Sequence, residues 1–132
     1  MIVINNRKYK NPLINVLFGE YEVNQNGNSR NGESIFISYK FDNISLGLET
    51  LYDKRWLKEI KINDKKDISN YISDITYEDE NGWISLISGT YNCFVNKIEN
   101  NIFVFEFNCE SEECGEYYNI LVNEKVKIDF EK

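Results

Sequence analysis

A chain of 132 residues with a net charge of −7, 42% hydrophobic residues and no histidine is long enough to bury a core without metal or disulfide staples. The missing histidine excludes a Ser-His-Asp triad, a Cys-His pair and a His-ligated zinc site, and the acidic balance opposes direct contact with nucleic-acid phosphates. Eight Phe, nine Tyr and two Trp, beside one Pro and no Ala, favour sheet over helix. Aromatic and β-branched side chains suit a pleated surface, and the best helix former is missing.

In chain order, Ile2–Ile4 and Lys8–Lys10 flank Asn5-Asn6-Arg7 as a first hairpin. Leu13–Val23 reads as a longer strand interrupted by Gly19. Asn24–Gly32 consists almost wholly of turn formers and reads as an exposed loop. Ser34–Phe41 alternates, with Ile35, Ile37, Tyr39 and Phe41 opposite Phe36, and Ile44–Glu49 follows the Asp42-Asn43 turn. Trp56–Ile62 is a further strand candidate. Asp67–Asp74 is the best helix candidate: Asp67 stands at the cap position, and Ile68, Tyr71, Ile72 and Ile75 recur at helical spacing.

The second half predicts three hairpins, Ile75–Glu78 with Trp83–Ser88, Tyr91–Ile98 with Ile102–Cys109, and Tyr117–Val122 with Val126–Phe130. Phe103, Phe105 and Phe107 share one face of their strand, and Val104 and Glu106 take the other. The expected fold is mainly β, an antiparallel sheet or β-sandwich of successive hairpins with one short helix, in a single domain over residues 1–132. The N-terminus has no basic region followed by a long apolar run, and no stretch has the length of a membrane span. With the odd set Cys93, Cys109 and Cys114, this points to a reducing, cytoplasmic setting with no structural disulfide.

Charge is unevenly spread. Residues 1–69 carry eleven basic and nine acidic side chains. Residues 70–119 carry ten acidic side chains against Lys97 alone. The acids concentrate in two predicted loops, Glu78, Asp79 and Glu80, then Glu110, Glu112, Glu113 and Glu116. Two readings stand. If the loops share one side of the sheet, they form a negative surface that steers a basic partner. Otherwise the charged turns keep a β protein soluble and block edge pairing.

Other chemistry finds little footing. Three cysteines spaced as Cys109-(x4)-Cys114 with a distant Cys93 do not make a four-ligand zinc site. Asp79 and Glu80 lack the spaced pattern of a calcium loop. Paired carboxylates for glycoside hydrolysis need an apolar cleft, whereas these acids run along loops. No metal, cofactor or catalytic group is expected. Trp56, Trp83, Tyr117 and Tyr118 are the aromatics that could serve a small-ligand or carbohydrate-binding domain, against the ordinary role of such rings in a core or cross-strand pair.

In size, acidity and texture the chain resembles the small β-rich immunity proteins of bacterial toxin–immunity systems. The resemblance lies in Gly82-Trp83-Ile84-Ser85-Leu86, Gly89-Thr90-Tyr91 and the Phe103–Phe107 strand, within the last sixty or so residues. It implies a cytoplasmic, non-enzymatic inhibitor that binds a toxin domain and blocks its active site. Toxins that cut nucleic acid present basic clefts, which an acidic inhibitor would suit.

Overall fold

Alternation along the chain builds two layers. In the computed structural model, which describes residues 1–25 and 28–131, five strands precede a short helix: β1 (Ile2–Ile4), β2 (Arg7–Tyr9), β3 (Leu13–Gln25), β4 (Asn28–Lys40) and β5 (Ser45–Thr50). The helix α1 is Lys54–Glu59. Then come β6 (Lys66–Asp67), β7 (Ile72–Asp79), β8 (Gly82–Ser85), β9 (Thr90–Glu99), β10 (Ile102–Glu113) and β11 (Glu116–Lys127). One sheet has the order β2-β1-β11-β10-β9-β6 and the other β3-β4-β5-β7-β8, with antiparallel pairing throughout. The expected β-sandwich of hairpins with one short helix is the observed architecture.

The inner faces follow the period of two. Phe103, Phe105, Phe107 and Cys109 of β10 sit beside Ile120 and Val122 of β11 and Cys93 and Val95 of β9. Across from them lie Ile35, Ile37 and Tyr39 of β4, Leu46 and Leu48 of β5 and Ile75 of β7, in one buried cluster. The Tyr39 and Phe107 rings meet with centroids 6.1 Å apart.

Several expectations are corrected. Trp56–Ile62 is not a strand: Lys54–Glu59 is helical, and the Asp53 side chain caps it by accepting the Arg55 N–H at 2.8 Å. Leu57 and Ile60, one helical turn apart, are the residues that this segment buries. Asp67–Asp74 is not a helix. Lys66–Asp67 pairs with β9, Ser69–Tyr71 makes a single 3₁₀ turn, and Ile72 opens β7. Its isoleucines recur because Ile68, between β6 and the 3₁₀ turn, and Ile72 and Ile75, on β7, reach the core separately, not because one helix presents a stripe. The supposed loop Asn24–Gly32 is largely strand, since β3 and β4 stay in register from Leu13↔Lys40 to Gln25↔Asn28. Its remaining two residues, Asn26 and Gly27, lie outside the described residues. Gly19 does not interrupt β3; a Cβ there would stand 2.8 Å from Ser34 Oγ.

Candidate functional site

The largest correction concerns the second acidic segment. Tyr117–Val122 and Val126–Phe130 do not form a hairpin. Instead Glu116–Lys127 is one strand, paired with β10 from Ile102↔Lys127 to Glu113↔Glu116. The turn is Cys114-Gly115, with both residues in the left-handed region, at φ 54° and 81°. Glu110, Glu112, Glu113 and Glu116 therefore stand on strands rather than in a loop. The period of two divides them. Glu110 and Glu112 point away from the core. Glu113 follows the inward row of Cys109 and Ser111, opposite Glu116.

The first acidic segment spans the end of β7 and the tight turn into β8, where Asp79 Oδ1 accepts the Asn81 N–H at 2.8 Å. The two segments meet at one end of the sandwich, opposite the end that carries α1. Tyr77 of β7 packs on Tyr118 of β11 with centroids 5.1 Å apart. The Tyr118 hydroxyl donates to Glu116 Oε2 at 3.1 Å. Burial and then the charge of Asp79 push Tyr77 up to about 12. Tyr118 is raised by burial, then by its bond to Glu116 and by the charges of Glu116 and Asp79. One pair of rings thus feels both acidic segments.

Glu113 is tied down as well. The Ser88 hydroxyl from the β8–β9 connection and the Ser111 hydroxyl, at 2.9 Å, both donate to its Oε1, and these bonds hold its carboxyl below the usual range. Tyr117, beside Glu112 in register, is raised by partial desolvation and by the charge of Glu110. The acids so run from the outer face of the five-stranded sheet (Glu78) across the mouth of the sandwich (Asp79, Glu113, Glu116) to the outer face of the other sheet (Glu110, Glu112). Lys40 and Asp42 border this end, lining with Glu78, Asp79 and Glu80 a shallow hollow of about 320 Å³.

A second surface was not foreseen. On the outer face of the five-stranded sheet, Leu13, Leu17 and Trp83 are 64%, 64% and 68% exposed. A groove of about 580 Å³ crosses this face, with Leu17, Phe36 and Trp83 beside Ser38, Thr76 and Glu78. Gly47 lies under it. A Cβ at that position would stand 2.4 Å from Thr76 Oγ1 and 2.8 Å from the Phe36 ring, so the ring settles onto the bare backbone. Strand alternation places Leu13, Asn15 and Leu17 together on one face. The missed signal was that both faces of Leu13–Phe18 are largely apolar.

The other singled-out aromatics disperse. Trp56 packs edge-on against Tyr52 and Tyr71 beside α1, and Tyr118 is buried. All three cysteines are free thiols, Cys93 and Cys109 buried and Cys114 exposed in its turn. Among the described residues no group of three His, Cys, Asp or Glu converges as metal ligands, and no helix is long and apolar enough to cross a membrane. Comparison with protein-family models, curated proteins and solved structures finds no match to this chain.

Proposed function

We propose that this chain is a non-catalytic protein-binding domain that takes a basic partner at its acidic end, most concretely an immunity protein that neutralises a basic toxin domain in the cytoplasm. The observation that supports it is the meeting of both acidic segments around the Tyr77–Tyr118 pair. Carboxylates that cluster repel one another, and a cationic partner relieves that repulsion while the field speeds encounter. The aromatic pair under the charges supplies the amphipathic floor that interface centres favour.

The test takes the reading frame adjacent to this gene, expected to be toxin-like, and uses its product. It should co-purify with the chain. Changing the exposed Glu78, Glu80 and Glu112 together to Lys should then slow association about tenfold or more and leave dissociation nearly unaltered, because exposed charges act on the on-rate. Added salt should slow the parent in the same way. An association rate indifferent to both removes the reading.

A small-ligand or carbohydrate-binding function is the second reading, favoured by the groove beside Trp83. A sugar ring stacked on an indole leaves its hydroxyls to polar neighbours such as Ser38 and Thr76. Soluble oligosaccharides should then quench or shift Trp83 emission and fail to do so in Trp83→Phe, with Trp56 as the constant background. No change across neutral and acidic sugars counts against it.

A further inference from the structure

We propose that the outer edge of β3 is a self-association surface, on which a second copy of this chain adds its own β3 antiparallel, about a twofold axis through Asn15.

The four sheet edges are unequal. The six-stranded sheet ends on β2, three residues with Arg7 and Lys8 exposed, and on β6, the two exposed residues Lys66 and Asp67. The five-stranded sheet ends on β8, four residues long, and on β3, which has thirteen. Short, charged edges are the usual protection against a strand from another molecule. β3 has neither device over its first half. Leu13–Gly19 carries no charge, and no Lys or Arg stands anywhere in Leu13–Gln25. Its outer edge pairs with no strand among the described residues, so alternate N–H and C=O groups there face outward with hydrogen-bonding capacity to spare.

What fits that edge is written in its own sequence. Leu13-Ile14-Asn15-Val16-Leu17 reads alike in both directions: leucine, β-branched, asparagine, β-branched, leucine. Antiparallel pairing centred on Asn15 sets Leu13 against the copy's Leu17, Ile14 against Val16, and Asn15 against Asn15. This is the like-on-like match that a twofold contact requires. The two Leu pairs cover side chains that are otherwise 64% exposed in each copy. Half-buried Ile14 and Val16 continue the core face across the seam. Facing Asn amides can bond each other. A slip of one residue would turn the leucines to the core face, so the register is fixed. The matched run stops at Pro12, which has no N–H, and at Asn11, which takes a left-handed φ of 58° as the chain leaves for the other sheet. Because the strands run oppositely, the two acidic ends point away from each other, so the charge of −7 per copy does not meet itself at the seam. An uncharged, self-matching edge selects another copy over a charged partner, and it shares no residue with the acidic end.

Sedimentation of the full chain across micromolar to millimolar concentration should show the mass rising from 15.6 kDa toward twice that value. Leu17→Lys should raise the concentration needed for half-dimerisation by about tenfold or more, since each twofold contact loses two Leu pairs, with thermal unfolding of the monomer unchanged. In a Cys114→Ser background, Asn15→Cys should form a covalent dimer under mild oxidation, because directly opposed strand positions lie within disulfide reach. Glu20→Cys, far from its mate along the paired strands, should not. A parent that stays monomeric at millimolar concentration overturns the proposal. So does a parent that dimerises while Asn15→Cys links no faster than Glu20→Cys.

Discussion

Phe105 occupies the middle of the inward row of β10, fully buried between Phe103 and Phe107. It stands opposite Val95 on one neighbouring strand and Glu124 on the other in register, so truncation leaves a void that flanking strands cannot close without losing their ladders. Phe105→Ala should destabilise the fold by about 3–5 kcal/mol, a large share of the stability of a typical domain. Denaturant titration reads this directly, and unchanged stability would mean that this face does not carry the core. The buried thiols act in the same layer. Burial pushes Cys93 up to about 12 and Cys109 up to about 11, so both stay protonated at neutral pH and pack as small apolar groups.

At the scale of elements, α1 shows how little holds a six-residue helix. Isolated helices of that length are unstable. This one has the burial of Leu57, the cap at Asp53, the packing of Trp56 on Tyr52 and Tyr71, and the bond that Lys97 Nζ donates to the Lys58 carbonyl. The Arg55 guanidinium, bonded to the Asp53 carboxylate at 3.0 Å, together with the Arg55 N–H, holds that carboxyl below its usual range. A carboxyl lowered by folding stabilises fully above its unfolded value of about 4, and that stabilisation is lost as pH falls through the folded value. Asp53→Ala should therefore cost about 1 kcal/mol at neutral pH and almost nothing at strongly acid pH. Asp53→Asn should keep most of the cap and lose the pH dependence. Denaturant unfolding of the three chains at both pH values checks this.

The elements legible in the sequence were those with alternation between turn formers: the β1–β2 hairpin, the second half of β4 with β5, the β7–β8 and β9–β10 hairpins, and the inward phenylalanines. Those that were not share a cause, which is that local chemistry pointed one way and partners distant in sequence the other. Asn123-Glu124 has turn composition, yet β10 pairs with it on one side, and on the other Met1, just before β1, bonds the Asn123 backbone and the Glu124 carboxylate. The run Glu110–Glu116 looked like a loop because it is charged, although Cys109, Ser111 and Glu113 keep the inward period. The convergence of the two acidic segments depends on how the sheets stack, which no local pattern encodes.

For the whole molecule, the two sheets differ in how they are threaded. The five-stranded sheet takes its strands in the order in which they occur along the chain, skipping only β6. The six-stranded sheet sets β1 beside β11, with Ile2 opposite Val122. On a ribosome, these layers mature at different times. Residues 13–85 can pair as they emerge, each strand finding its neighbour already present. They then hold half a core, Ile35, Ile37, Leu48 and Ile75, open to water until β9, β10 and β11 have been made. β1, made before the other strands, is seated last, because its partner is β11. Nascent chains halted after Gly89 should accordingly pellet or be held by chaperones, whereas chains extended through Glu131 should stay in the supernatant, as a translation-arrest series read by centrifugation would show. The emergence of β11, rather than the formation of any one hairpin, is then the event that closes this sandwich.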